Sequence, residues 1–501
     1  LSFAFSNERG EMIDKDVHKY RNYIGGEWVE SESSEWEPNI NPADFDDTLG
    51  LAPRSTADEV NAAIEAAAQA SEAWKGMTAL ERGGRLAAVA RLLRDYHEDL
   101  SQQITLEEGK SIREARLEVS KSVQVFEYMA GAGYRLGGVT RPSAFAKNLA
   151  YTFREPLGTV AVITPWNFPV SIPAWKIAPA LVAGNTVIFK PASYVPGSSE
   201  LFIKVLDEAG MPPGVINLIY GAGREIGDTL LNHKEVRGVS FTGSDVIGSQ
   251  IYAISGQRVI PAQCEMGGKN PCIIMEDADL ELAVRALIGG AFGATGQRCT
   301  AMSRAIVQND IAEEFIALLL AETQEIKVGP GIREENFMGP CVSESQMTGI
   351  LDYIELGKEE GARLLFGGDQ LQEGEFAKGY FLSPTVFDDV NPEMRIAQEE
   401  IFGPVLCIIR VRDFDAAIHA ANAIRYGLTS VIYTRDLAYA LRFAEEIEAG
   451  MAHVNSPWLG GEVHLPFGGT KESAIGPHEM GDETFEFFTQ TKTVYINFEL
   501  S

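Results

Sequence analysis

Two short segments carry the residue types for covalent carbonyl chemistry. Glu265-Met266-Gly267-Gly268-Lys269 sets a carboxylate before two glycines, and Gly296-Gln297-Arg298-Cys299-Thr300 sets a thiol in a loop of small residues. Together they suit a reaction in which a thiolate attacks an aldehyde carbonyl and a hydride leaves to a nicotinamide. The carboxylate then activates water to release an acid from the thioester. That chemistry requires the two segments to meet in space. A lone cysteine is most often a small buried hydrophobe, and a lone glutamate a surface or helix-capping group. Here Gly293, Ala294, Gly296 and Thr300 leave room for a substrate at Cys299. The Gly267-Gly268 pair permits the close backbone approach of an active-site turn.

Other segments supply what such a pair would need. Asn167, in Thr164-Pro165-Trp166-Asn167-Phe168-Pro169 after the apolar run Val160 to Ile163, can donate its amide N–H to a developing oxyanion; a turn asparagine between two prolines is the alternative. Lys176 follows in the apolar stretch Pro173-Ala174-Trp175-Lys176, placed to touch a ribose or relay protons unless it is a surface lysine. Phe241-Thr242-Gly243-Ser244 reads as a strand end, a turn and a helix start, suited to a dinucleotide phosphate. The usual Gly-x-Gly-x-x-Gly pattern is missing there. Gly221-Ala222-Gly223-Arg224-Glu225-Ile226-Gly227 is a second glycine turn, open to a structural explanation.

These segments must be positioned by a large chain. Its 501 residues suggest two or three domains. A content of 45% hydrophobic and 23% charged residues is that of a folded soluble protein. No apolar run is long enough to span a membrane. The first residues, Leu1 to Tyr20, carry charges where a secretion signal would be apolar, which favours the cytoplasm. The five cysteines are scattered, without metal-type spacing, as in a reducing compartment and with no metal site expected. The net charge of −29 argues against nucleic acid as a partner. It reads either as a solubilising surface or as adaptation to high salt.

Tyr23-Ile24-Gly25-Gly26-Glu27-Trp28 predicts a hairpin turning at its glycines. Asp58 to Trp74 and Leu80 to His97 have helical spacing, and Leu106 to Leu136 continues in that style. Tyr151 to Arg154 alternates as a strand. Val160 to Ile163, Thr186 to Phe189 and Val215 to Leu218 are apolar strands separated by helix-like stretches, the pattern of a parallel sheet covered on both faces. A second α/β unit follows a boundary near Gly267-Gly268, with strands Ser303 to Gln308 and Val405 to Ile409 and a helix from Ala312 to Glu325. The tail Thr493 to Asn497 alternates like a strand and, lacking a nearby hairpin partner, is expected to pair with another subunit.

Trp166-Asn167-Phe168-Pro169, Ala183-Gly184-Asn185-Thr186-Val187, Phe241-Thr242-Gly243-Ser244, Glu265-Met266-Gly267-Gly268-Lys269, Gly296-Gln297-Arg298-Cys299, Glu399-Glu400-Ile401-Phe402-Gly403-Pro404 and Pro466-Phe467-Gly468-Gly469 together resemble the aldehyde dehydrogenase superfamily, from Tyr23 to Asn497. The resemblance implies an α/β fold of two doubly wound domains plus a small β oligomerisation arm. The dinucleotide-binding domain would comprise 1–137 and 157–266, the catalytic domain 267–478, and the arm 138–156 and 479–501, building homodimers or homotetramers. It implies Cys299 as nucleophile, Glu265 as general base, and Asn167 with the Cys299 N–H as oxyanion hole, with Lys176 nearby. Thr164, Trp166, Lys190, Ser193, Gly223, Gly227, Phe241, Gly243, Ser244, Glu400 and Phe402 would bind the cofactor.

Glu265, missing in the coenzyme-A-dependent branch, implies water as the acyl acceptor. Many NAD-preferring members carry a glutamate where Ser193 stands. A neutral serine removes its repulsion of a 2′-phosphate and leaves Lys190 to pair with it, so NADP is expected to be accepted and preferred over NAD. The phrasing around Trp166, Cys299 and His464 most resembles the 2-oxoglutarate semialdehyde (2,5-dioxopentanoate) dehydrogenases of pentose and sugar-acid degradation. Phe168, Trp175, Arg298, His464 and Phe467 would then face a small-molecule aldehyde, with Arg298 the nearest cation for its carboxylate. The region Ser456 to Gly461 would line the pocket mouth. Succinate semialdehyde or another aldehyde is the alternative substrate, and a non-catalytic protein retaining the fold the remote one.

Overall fold

Gly25 and Gly26 sit at φ of 62° and 93°, the left-handed pair that a two-residue hairpin turn demands. They close Asn22–Ile24 against Glu27–Val29, with Ile24 opposite Glu27. The computed structural model describes residues 17–456 and 461–499. The helices Ala57–Gly76 and Ala79–Asp95 each begin with a reciprocal cap, Thr56 with Glu59 and Thr78 with Glu81. The expected continuous helix from Leu106 to Leu136 is two helices. His97–Glu108 stops at Gly109, whose φ is 94°, and Ser111 caps a new helix, Ile112–Ala130. A left-handed glycine followed by a capping serine is a stop and a start.

The first sheet has eight strands. Five run parallel, in the order Ile216–Leu218, Thr186–Lys190, Thr159–Ile163, Val236–Thr242 and Ala262–Glu265. The hairpin adds antiparallel at one edge and Ala474–Ile475 at the other. The central strands are fully buried on both faces, as Val160, Ala161, Val162, Val187, Ile188 and Phe189 record. The helix Ser171–Ala183 is buried along its whole length and shares one apolar core with Ile112–Ala130.

The chain then crosses to a seven-stranded sheet. Thr385–Asp388, Val405–Val411, Met302–Gln308, Asn270–Ile274, Thr429–Tyr433 and Met451–Val454 are parallel in that order. Arg363–Phe366 is antiparallel at its edge. A three-stranded sheet stands apart: Thr489–Asn497, Asn148–Pro156 and Thr140–Pro142. The terminal strand expected to seek another subunit pairs along its whole length with Asn148–Pro156 of its own chain. Its partner is distant in sequence, which is why alternation alone could not find it. No helix among the described residues is long and apolar enough to cross a membrane, and no group of three metal-ligating side chains occurs among them.

Candidate active site

All five parallel strands of the first sheet end on one rim; the loops and strand ends there carry Asn167, Ser193, Ser244 and Glu265, while the Cys299 and Glu400 loops lead into strands of the second sheet. Such a rim is where open α/β sheets bind ligands. Glu265 ends its strand there, paired with Thr242 and Ala474. Its carboxyl is buried and held well above the usual carboxylate range, first by burial and then by the charge of Glu479, against the pull of Lys176 and an N–H from Gly469. Its Oε2 has no hydrogen-bond partner among the described residues, so one oxygen is left for a water or a thiol.

Cys299 follows a turn in which Ala294, Thr295 and Gly296 all have positive φ, at 47°, 59° and 67°. Consecutive left-handed residues are strained, and the surroundings hold them in place. Ala294 N–H donates to both oxygens of Glu114, at 2.9 and 3.0 Å. Thr295 Oγ1 donates to Gly339 O at 2.9 Å, and Gln297 Oε1 accepts from Val342 N at 3.0 Å. A Cβ on Gly296 would collide with Gly403 O. The Cys299 carbonyl accepts from Asn270 Nδ2 at 2.8 Å. Cys299 is half-buried while Cys264, Cys272, Cys341 and Cys407 are buried. Burial, then the charges of Glu400, Glu265 and Glu479, push its thiol up to about 12, against a hydrogen bond from the Thr300 backbone. The resting thiol is protonated and needs a base.

Asn167 meets this loop directly. Its Nδ2 donates to Gln297 O at 3.0 Å, which fixes the amide beside the nucleophile and leaves its second N–H to give. The Gly267-Gly268 pair gains a specific reason. A Cβ on Gly267 would collide with the Glu400 carboxylate, and one on Gly268 would stand 2.7 Å from Cys299 O. Glu400 Oε1 accepts from Gly268 N at 2.9 Å, and burial raises its carboxyl to about 7. The two segments of the sequence therefore converge.

Lys176 is fully buried. It ion-pairs with Glu479 and donates to Ser240 Oγ at 3.0 Å. Its burial removes the surface alternative and sets its charge close enough to act on Glu265. Glu479 itself escaped the sequence reading; its backbone is tied to Phe467 by two bonds of 2.7 Å. Lys110, Glu114 and Glu118 were missed as well. Lys110 Nζ bonds Glu118 Oε2 at 2.9 Å, donates to the Asn167 carbonyl and lies 3.9 Å over the Phe168 ring. Glu118 Oε1 accepts from Val170 N and Ser171 N at 2.9 and 3.1 Å. The helix Ile112–Ala130 thus holds both loops, Glu114 the nucleophile's and Glu118 that of Asn167.

The rest of the rim fits a dinucleotide. Thr164 Oγ1 and Thr242 Oγ1 are buried without partners among the described residues. Lys190 Nζ donates only to Pro191 O, at 3.0 Å, and burial lowers its ammonium to about 8. Ser193 lies half-buried in the next turn. Ser244 Oγ caps the helix Asp245–Arg258. Trp166 and Phe402 meet edge to face at 5.4 Å. The Phe241 ring is buried beneath Gly243, where an added Cβ would strike it. Gly223 and Gly227 face open space, so packing within the chain does not require a glycine at either.

Of the substrate candidates, Arg298 is ion-paired with Glu114, which braces the loop, while its Nε has no partner among the described residues. His464 is exposed, 3.8 Å from Glu462. Trp175 and Phe467 do pack together, with ring centroids 5.2 Å apart, in the same core as Phe168. The expected pocket mouth falls largely on residues 457–460, outside the described residues.

The family profile described as "Aldehyde dehydrogenase family" matches residues 28–494. The chain belongs to the aldehyde dehydrogenase family. Among curated relatives of this aldehyde dehydrogenase is the alpha-ketoglutaric semialdehyde dehydrogenase of Bacillus subtilis, 44% identical over 96% of this chain and 99% of that one. The alpha-ketoglutarate semialdehyde dehydrogenase of Haloferax volcanii is 43% identical over 95% and 99%, and the 2,5-dioxopentanoate dehydrogenase of Saccharolobus solfataricus 41% over 94% and 98%. Among solved structures, betaine aldehyde dehydrogenase from Staphylococcus aureus in complex with NAD+ superposes with a TM-score of 0.94 at 35% identity, covering 97% of this chain and 96% of that one. The enzyme is an NAD(P)-dependent aldehyde dehydrogenase of the expected α/β fold.

Proposed function

We propose that the enzyme oxidises 2-oxoglutarate semialdehyde to 2-oxoglutarate in sugar-acid degradation, with Cys299 as nucleophile, Glu265 as general base and Asn167 in the oxyanion hole. The observation that carries the mechanism is the convergence of the Asn167 amide and the buried Glu265 carboxylate of the first sheet with the Cys299 loop of the second. Glu265 takes the thiol proton as Sγ attacks the aldehyde carbon. The second N–H of Asn167 and the Cys299 N–H stabilise the oxygen that becomes negative, a contribution of about 3–4 kcal/mol per donor. A bound nicotinamide supplies the hydride acceptor. Glu265 gives up the thiol proton by way of Glu479 and Lys176, then takes a proton from the water that attacks the thioester; the Cys299 thiolate leaves as the acid forms and is reprotonated by Glu265.

The substrate reading is supported by the names of the relatives from Bacillus subtilis, Haloferax volcanii and Saccharolobus solfataricus, each matched over nearly its whole length. The first sheet, with residues 1–137 and 157–266, would hold the dinucleotide: Glu400 and Phe402 the nicotinamide riboside, Ser244 the pyrophosphate, and Lys190 with Ser193 the adenine-side ribose. Ser193 brings no charge against a 2′-phosphate and Lys190 is near, which supports NADP over NAD. Residues 267–478 would form the catalytic domain, and the three-stranded sheet an arm for homodimers or homotetramers. In support, the terminal strand's outer edge bears exposed Tyr495 and Ile496. We also place the enzyme in the cytoplasm and read its charge of −29 as a solubilising surface or as salt adaptation; unfolding in dilute buffer would select the second.

Steady-state rates over 2-oxoglutarate, succinate, malonate and betaine aldehydes, each with NAD and NADP, test the assignment. The highest kcat/KM is expected for 2-oxoglutarate semialdehyde with NADP. A higher value for another aldehyde would displace the substrate, and strict NAD use would displace the cofactor.

A further inference from the structure

If Arg298 is committed to Glu114, the far end of an acidic aldehyde needs another cation. Cationic groups near the centre are mostly paired: Lys176 with Glu479, Lys110 with Glu118, Arg298 with Glu114. Lys269 carries no hydrogen bond at its Nζ. It belongs, however, to the second sheet's side, its charge opposed to Cys407 and Glu400.

The helix Ile112–Ala130 offers a different group. Positions 114, 118 and 121 follow at helical spacing and lie on one face. Glu114 serves the nucleophile loop and Glu118 the Asn167 loop, so the next residue of this stripe, Lys121, faces the same centre one turn on. Lys121 is half-buried and has no carboxylate within ion-pair distance among the described residues. Its Nζ donates to Gly461 O. A Cβ on Gly461 would lie 3.1 Å from Phe467, and the Phe467 ring packs on Trp175 at 5.2 Å. Lys121 therefore stands on the wall that Phe467 and Trp175 share. Burial lowers its pKa, with Glu462 pulling the other way; an ammonium so desolvated gains from a carboxylate. Trp175 adds a second unspent donor, because its buried Nε1 has no partner among the described residues. An indole N–H so placed wants an acceptor.

We propose that Lys121 is the cation that receives the far carboxylate of the substrate, with the Trp175 N–H donating to the oxygen on the carbon beside it. The ammonium has three N–H donors and spends one on Gly461. The site takes a 2-oxo acid carrying a terminal aldehyde, and it rests on the substrate reading above.

The test compares 2-oxoglutarate semialdehyde, glutarate semialdehyde and pentanal, equal in length, in the wild-type enzyme and in Lys121→Met, Lys121→Arg and Trp175→Phe. In Lys121→Met the preference for 2-oxoglutarate semialdehyde over pentanal should fall about 10- to 100-fold, mainly through KM, and Lys121→Arg should restore most of it. Trp175→Phe should narrow the gap between the 2-oxo and the plain semialdehyde. A wild-type enzyme that takes pentanal as well as the semialdehyde overturns the substrate reading and this proposal together. A wild-type preference that persists in Lys121→Met, or an equal loss on all three aldehydes, overturns this proposal alone. Should Lys121→Met not fold, glutarate protection of Cys299 from iodoacetamide, compared between wild type and Lys121→Gln, decides: protection must weaken at least about tenfold, and unchanged protection refutes it.

Discussion

The reaction centre, where loops of the two sheets meet, and the dinucleotide rim of the first sheet are neighbours, yet they are built in different ways. Around Cys299 and Asn167 the chain spends carboxylates on bracing its own loops, and leaves atoms such as Glu265 Oε2 and Trp175 Nε1 without a partner among the described residues. Glu114 holds Ala294 and Arg298, Glu118 holds Val170 and Ser171, and Asn167 holds Gln297. Along the dinucleotide rim, Thr164 and Thr242 keep buried hydroxyls with no partner among the described residues, and Gly223 and Gly227 stand bare. A region that braces itself is preorganised for a transition state, and one that leaves donors unspent takes its order from a ligand. Damage should accordingly be severe and intrinsic at the centre, and selective for the cofactor at the rim.

The sharpest break is Glu265→Gln. Removing the base should lower kcat by about 10²–10⁴-fold. Because the step lost most completely is thioester hydrolysis, rapid mixing should still show a slow burst approaching one NAD(P)H per site. A fully retained steady-state rate would sink the general-base role. The same variant tests the carboxyl's environment. Its folded pKa is raised, mainly by burial and then by Glu479, so the folded state binds its proton more tightly than the unfolded chain does. Stability from this group is full below the usual carboxylate range and is lost as pH rises through the folded pKa. Glutamine removes that loss, so the Tm advantage of Glu265→Gln should grow as pH rises. An advantage that shrinks would contradict the burial argument.

Next comes Asn167→Ala, expected to lower kcat about 10²–10³-fold while Cys299 still reacts with iodoacetamide at nearly its wild-type rate. A parallel loss of thiol reactivity would mean that Asn167 only holds the loop. Lys110→Met probes the brace beneath it. Its pair with Glu118 is fully buried, and removing one partner of such a pair costs about 3–5 kcal/mol. The apparent Tm should fall clearly, and the folded fraction should lose about tenfold in kcat through a displaced Asn167. An unchanged kcat would reduce Lys110 to a purely structural group.

The same contrast explains what the sequence could reveal. The hairpin at Gly25-Gly26, the parallel strands and the two catalytic segments were legible because each carries a local signal: a glycine pair, a β-branched run, small residues beside a nucleophile. Glu479, Lys110, Glu114 and Glu118 were not. Two acids four apart on a helix look like an exposed face, and only tertiary packing turns them inward. The Arg298–Glu114 pair was hidden for the same reason, since the two residues are remote in sequence. The break at Gly109-Lys110-Ser111 was legible in principle, from its glycine stop and serine cap.

The effect confined to one cofactor lies on the rim, at Ser193→Glu. A carboxylate there would face a 2′-phosphate at close range, and like charges so placed cost several kcal/mol in a poorly solvated site. NADP should lose about 10- to 100-fold in kcat/KM, while NAD, which presents only a hydroxyl, should change by less than about threefold. Lys190 gives an independent handle. Burial lowers its ammonium to about 8, and a 2′-phosphate would bind the charged form. The KM for NADP should therefore rise as pH climbs through about 8 in the wild-type enzyme, with a smaller rise for NAD. Equal pH profiles for the two cofactors would separate Lys190 from the 2′-phosphate and leave Ser193 as the sole determinant on this part of the rim.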